Sequence, residues 1–157
     1  PSERDQISLL ARYRQHVAPL AGSLHFDYRF HWDDWELSSH TFELAWYQEL
    51  FQVLHVIPSL RYYSQSEASF YKPFFAAFDN PQYYSSDYRL SPYGALAFGL
   101  KTEATLPGWP HRRIDTVLAL SYDRYMSSGD WALGRVEVAA PGLVDYSVYG
   151  ARVGARF

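Results

Sequence analysis

Ionisable side chains occupy every second position in one segment near the front of the chain. They are His25, Asp27, Arg29, His31 and Asp33. Imidazole and carboxylate groups bind zinc, copper or iron, and Glu43 and Glu49 could complete such a site. However, residues two apart on a strand are separated by ~6.6 Å, and the chain has no His-x-His pair. We therefore expect no metal site and no cofactor.

Nucleophilic catalysis has equally little support in the residue types. A serine enzyme needs a nucleophile, a base and an orienting group in contact. Ser38, Ser39 and His40 are adjacent, but adjacency in sequence is not triad geometry, and a polar loop accounts for them. The chain has no cysteine, which excludes a thiolate nucleophile and a disulfide framework. We name no catalytic residue and expect no enzyme.

The ionisable residues alternate with an apolar set of the opposite parity. That set is Leu24, Phe26, Tyr28, Phe30 and Trp32. Because successive side chains of a strand point to opposite faces, the segment has one aromatic-apolar face and one ionisable face. A soluble sandwich buries its apolar face in a core, whereas a membrane barrel turns it towards lipid. Alternation alone does not distinguish the two.

The alternation recurs and predicts an all-β chain of about seven antiparallel strands. The predicted strands cover residues 7–17, 24–33, 41–49, 60–67, 94–101, 114–123 and 149–157. Several are roughly 10–14 residues long, whereas soluble strands average ~5–6 and a tilted membrane strand needs ~9–11. Strand length therefore favours an up-and-down transmembrane β-barrel.

The connections alternate in character. Those at residues 19–22, 50–56 and 105–112 are short, and those at 34–39, 71–87 and 127–142 are longer or more polar. Outer-membrane barrels have short periplasmic turns and longer external loops. Seven is an odd number, whereas such barrels usually have an even one. We therefore expect residues 1–157 to be the C-terminal part of one larger barrel domain, with at least one strand before Pro1.

Two smaller features bear on the loops. The aromatic loop at 71–87 either folds into the barrel mouth, meets a partner or packs on its own side chains. Gly94 and Gly99 predict bends or the close approach of a neighbouring strand.

In a barrel, the polar face lines the lumen. The predicted lumen-lining residues are Arg12, Arg14, His25, Asp27, Arg29, His31, Glu43, Glu49, Arg61, Glu67 and Arg89. We expect them to pair across hairpins. The expected neighbours are His25 with Glu49, His31 with Glu43, Arg12 or Arg14 with Asp27, Glu43 diagonally with Arg61, and Glu67 with Arg89. Such pairs neutralise charges that are costly in a narrow lumen.

The apolar face supplies the predicted membrane contacts. The lipid-facing or girdle residues are Tyr28, Trp32, Trp46, Tyr62 and Tyr122. Aromatic residues collect at both edges of a bilayer, and the chain has 14 Tyr, 10 Phe and 5 Trp. A net charge of −3 that is evenly mixed excludes a nucleic-acid partner.

The last strand resembles the C-terminal signature by which the barrel-assembly machinery recognises outer-membrane proteins. The residues that carry this signal are Tyr149, Val153 and the terminal Phe157. Three further segments resemble a proteobacterial family of outer-membrane barrels of unknown function. They are His-Thr-Phe-Glu-Leu-Ala-Trp-Tyr-Gln from residue 40, Leu-Arg-Tyr-Tyr-Ser-Gln-Ser-Glu-Ala from residue 60 and Ser-Asp-Tyr-Arg-Leu-Ser from residue 86. The resemblance implies a bacterial outer-membrane location. It also implies an extracellular redox or electron-transfer setting with a periplasmic or surface redox partner.

The favoured hypothesis is a barrel that acts as a pore or as a scaffold or sheath for a partner, with outer-membrane lipid around it. Two alternatives stay open: a hydrolase embedded in the barrel, and a soluble β-sandwich or lipocalin-like ligand binder.

Overall fold

A computed structural model describes residues 4–75, 85–108, 115–133 and 143–156. These residues form one antiparallel sheet in which each strand pairs with the next along the chain. Its strands are β1 (Gln6–Val17), β2 (Gly22–Asp33), β3 (Ser38–Leu50), β4 (Leu54–Gln65), β5 (Tyr93–Leu106), β6 (Asp115–Ser128) and β7 (Tyr146–Arg156). The predicted seven up-and-down strands are confirmed. Among the described residues, the edge strands β1 and β7 do not pair with each other, so the sheet is not closed.

The strand β4 begins earlier than expected. Prediction started it at Leu60, but it extends from Leu54 through Pro58. Proline lacks the amide N–H that a ladder needs, and the pairing of β4 with β3 is interrupted around Pro58. Pairing with β5 continues, and Pro58 lies opposite Leu100. A strand paired on both sides thus tolerates the proline.

The connections differ at the two ends of the sheet. At one end, residues 18–21, 51–53 and 107–114 join the strands, and at the other end residues 34–37, 66–92 and 129–145 do so. The long connections share one end, as predicted. Residues 34–37, however, form a turn of the same length as residues 18–21 at the opposite end. We call the end with residues 66–92 the loop end.

Most of the buried side chains lie at the loop end. Leu37, Ala68 and Tyr71 are buried there, together with the polar Asp33 and Ser91. No second layer covers the middle of the sheet within the described residues, so most large apolar side chains of the strands remain exposed. No described helix is both long and apolar enough to cross a membrane.

Candidate functional site

Two chemically distinct faces run without interruption across all seven strands. In each ladder the register joins positions of one face to positions of the same face, so the side with most of the ionisable residues stays separate from the side with most of the large apolar ones. The charged face carries Arg12, Arg14, His25, Asp27, Arg29, His31, Glu43, Glu49, Arg61, Lys101, Glu103, Asp123 and Arg152. On the described strands, the other face, the apolar face, has one charged side chain, Arg124, which pairs with Asp145 at 3.5 Å.

The sheet curves with the charged face on its inner side. A cavity of about 350 Å³ on this face is lined by side chains from every strand between β1 and β6. Neighbouring strands are ~4.8 Å apart, so a flat sheet would spread those side chains too widely to share one cavity. In the first half of β6, Thr116, Leu118 and Leu120 on the apolar face are exposed, whereas Val117 and Ala119 on the charged face are half-buried.

Charge pairs cross the strands on the inner side. Arg61 lies directly opposite Glu43, not diagonally, and donates from Nε and Nη2 to Glu43 Oε2 at 3.0 and 2.6 Å. Arg14 Nη1 donates to Asp27 Oδ1 at 2.5 Å. The expected pairing of Asp27 with an arginine of β1 is therefore confirmed, with Arg14 as the donor.

The β2–β3 pairings of the histidines were predicted wrongly. His25 lies opposite Ala45, not Glu49, and its ring lies 4.1 Å from that of Tyr47. Likewise, His31 lies opposite Ser39, not Glu43. The hairpin turns earlier than expected, and this shifts every pair along the two strands.

Asp33 explains this early turn. Its Oδ1 accepts hydrogen bonds from the backbone N–H groups of Trp35 and Leu37, both at 3.0 Å. An aspartate that bonds backbone N–H groups just ahead of it favours a tight turn. The side chain is fully buried, and its Oδ2 also accepts from the Arg4 guanidinium, which lies 4.3 Å from the Trp35 ring centroid. Prediction considered Asp33 only as a metal ligand and missed its role in the turn.

Residues 66–75 and 85–92 fold across the loop end on the side of the charged face. Gln65 Nε2 anchors them by donating to the carbonyl oxygens of Arg89 and Ser91 at 2.9 and 2.6 Å. Between this segment and the sheet lies a cavity of about 620 Å³, lined in part by His31, Trp35 and Arg89. The described part of this aromatic loop folds over the charged face at the loop end. Phe78, Tyr83 and Tyr84 lie outside the described residues.

Two predicted lumen residues belong to this segment and not to a strand. Glu67 lies two residues after Gln65, the last residue of β4, and Arg89 lies in the 3-10 turn Tyr88–Leu90. Arg89 pairs with Asp87 at 2.6 Å, in place of the Glu67 expected. Hydrogen bonds between the two hold the pKa of Asp87 below its ordinary value and raise the pKa of Arg89.

The predicted girdle residues all lie on the apolar face. They are Tyr28, Trp32, Trp46, Tyr62 and Tyr122. Tyr149 and Val153 share this face, at 78 % and 75 % exposure, and Tyr149 lies opposite Tyr122. Phe157 lies outside the described residues. The girdle and assembly-signal roles remain predictions.

Metal chemistry gains no geometric support from this face. Within the described part of the chain, no three His, Asp or Glu side chains are grouped closely enough to hold an ion. The early turn contributes to this, because it moves His25 and His31 away from Glu49 and Glu43.

Residues 1–137 match a family described as "Protein of unknown function (DUF3570)". The match covers most of the chain, so the chain belongs to this family. Comparison with curated proteins finds no match, and neither does comparison with solved structures. The expected membership of a family of unknown function is thereby confirmed.

Proposed function

We propose that the chain forms part of the wall of a transmembrane β-barrel in the bacterial outer membrane. The apolar face lies against lipid, and the charged face lines a lumen that serves as a pore or as a sheath for a partner. The charged lumen side chains conduct or hold what passes, and the segment at the loop end narrows the mouth.

One observation carries this proposal: the apolar face of the sheet is exposed. Its large side chains include Leu9 and Leu120, each 62 % exposed, and nothing described covers them. Soluble monomers rarely expose apolar patches of more than a few hundred Å². Lipid is the covering that suits a face with no acidic residue and no lysine on its described strands.

The length of the strands also supports lipid contact on the apolar face. Within the described residues, the strands have between 11 and 14 residues. At ~3.3 Å per residue and a tilt near 45°, such strands cross roughly 30 Å, the thickness of the hydrocarbon core. Arg124 lies towards the loop end of β6 and pairs with Asp145, which suits a position at the membrane edge.

The main alternative hypothesis is a soluble β-sandwich. Two matched cysteine variants, labelled with a fluorophore, distinguish it from the membrane barrel. Residues 1–157 contain no cysteine, so Leu120→Cys and Ser121→Cys each add one thiol to this part, on opposite faces of β6; any cysteine elsewhere in the reading frame is first replaced by serine. After reconstitution of the protein expressed from its complete reading frame, a fluorophore at position 120 is expected to be quenched by nitroxide-labelled lipid. The label at position 121 is expected to be quenched by aqueous iodide.

One outcome of the labelling experiment would contradict the membrane assignment. Equal quenching of both positions by iodide, in a protein that stays in solution without detergent, would contradict the membrane assignment. In the membrane case the folded protein should also resist SDS until it is heated.

The choice between pore and sheath needs a second measurement. A pore gives stepwise conductance in planar bilayers, whereas a sheath stays silent until its partner is removed. The family resemblance supports a periplasmic or surface redox protein as that partner. Co-purification of a redox protein from the native membrane tests this assignment.

A further inference from the structure

The cavity of about 350 Å³ on the charged face has two unlike walls. The ion-paired side chains of Asp27, Glu43 and Arg61 line part of it. Arg12 and Arg29, near the middle of β1 and β2, and Tyr63, Tyr93 and Tyr125 of β4, β5 and β6 form most of the rest of its polar and aromatic lining. The five side chains come from strands far apart in the chain, and the curvature of the sheet brings them together.

The arginine wall carries more guanidinium groups than neighbouring carboxylates can neutralise. Arg14 holds the carboxylate of Asp27 and Arg61 holds that of Glu43. Among the described residues, neither Arg12 nor Arg29 forms an ion pair; Arg12 lies opposite Asp27, but the hydrogen bond to that carboxylate comes from Arg14. Arg29 lies opposite Leu10 and Thr41 across its two ladders, so no carboxylate directly faces it. This part of the face therefore carries two guanidinium groups in excess of its carboxylates.

The tyrosine wall presents aromatic surface. The ring centroids of Tyr63 and Tyr93 are 5.6 Å apart, and those of Tyr125 and Tyr146 are 4.9 Å apart and stacked. The Tyr63 hydroxyl donates to Gln65 Oε1 at 2.7 Å, which fixes the ring in place. Such a fixed aromatic wall is suited to pack against a flat ring.

We propose that this cavity binds a small organic anion that carries an aromatic ring. The guanidinium groups of Arg12 and Arg29 hold its carboxylate through paired N–H donors, a geometry for which arginine is suited. The tyrosines contact its ring. A volume of about 350 Å³ lies at the lower end of small-molecule sites. This binding site rests on the proposed function in one respect: the anion reaches it through the proposed lumen.

Benzoate serves as the probe, with binding measured by calorimetry on the detergent-solubilised protein from its complete reading frame at low ionic strength. Saturable binding is expected for benzoate and much weaker binding for acetate or benzyl alcohol, which each lack one half of the ligand. The double variant Arg12→Gln/Arg29→Gln should bind benzoate about tenfold more weakly or worse, because it loses charged hydrogen bonds.

The control variant is Arg152→Gln, on the same face but outside the cavity, where Arg152 pairs with Glu103. It should keep the affinity of the unaltered protein. The proposal is overturned if the unaltered protein shows no saturable binding, or if the double variant binds equally well. Equal affinity for acetate and benzoate overturns the role of the tyrosines. Calorimetry in detergent is independent of the cysteine labelling, so a failed site and a failed membrane assignment are told apart.

Discussion

Replacing Asp33 by alanine is expected to destabilise the protein by about 3 kcal/mol, because it removes the acceptor from several donors at once. The backbone N–H groups of Trp35 and Leu37 lose their partner, and the Arg4 guanidinium loses its carboxylate. The turn at residues 34–37 then keeps backbone hydrogen bonds such as Asp33 N–H to Leu37 O, at 3.1 Å, but loses its side-chain anchor. Urea unfolding of the folded protein in detergent or liposomes measures the loss.

Two control variants separate the turn from the charge. Asp34→Ala removes the neighbouring, exposed carboxylate and should change stability by less than about 0.5 kcal/mol. Asp33→Asn keeps one oxygen for the backbone donors and should fall between the two. If Asp33→Ala unfolds at the same urea concentration as Asp34→Ala, the described role of Asp33 is wrong.

Placing a methyl group at Gly94 is expected to displace the start of the β6–β7 connection from the sheet. A Cβ at this position would overlap the Trp131 carbonyl group and lie 2.6 Å from Trp131 Cβ. Trp131 O accepts from the Tyr62 hydroxyl at 2.5 Å, and Leu133 N donates to Ser64 Oγ at 2.6 Å. Gly94→Ala should break both bonds and cost about 1–3 kcal/mol. Chymotrypsin should then cleave after Trp131 faster.

The same substitution elsewhere provides the control. A Cβ at Gly154 would meet only Val117 Cβ, at 3.9 Å, so Gly154→Ala should be neutral or slightly stabilising. Tyr62→Phe removes one of the two bonds without a steric change and should loosen the connection less than Gly94→Ala does. Unchanged cleavage in Gly94→Ala would show that the connection does not depend on this contact.

The strands could be predicted because their signal is local. Alternation from Leu24 to Asp33 survives into the fold as β2, and so does its counterpart in every other strand. The start of β4 could not be predicted, because Pro58 normally interrupts a strand. Pairing with β5 continues through Pro58, and pairing with β3 resumes on its far side at Val56. Gly94 was correctly associated with a close approach, but the approaching group is the backbone at Trp131, not a neighbouring strand.

Some of the charge pairs could be predicted from the sequence, and others could not. Arg61 and Glu43 were expected as neighbours and are directly opposed. His25 and His31 were assigned the wrong partners because the register of a hairpin depends on its turn, and one buried side chain, Asp33, determines that turn. No periodicity in the sequence distinguishes a turn that closes early from one that closes late.

The sequence by itself determined the two-faced strands, because alternation of side chains is a property of each extended backbone segment. Only the tertiary structure decided the register of the hairpins, the curvature that places the charged face inside, and the cavity between Arg12 and Tyr125. These depend on hydrogen bonds and contacts between residues far apart in the chain. The placement of the segment after Gln65 over the loop end depends on them too.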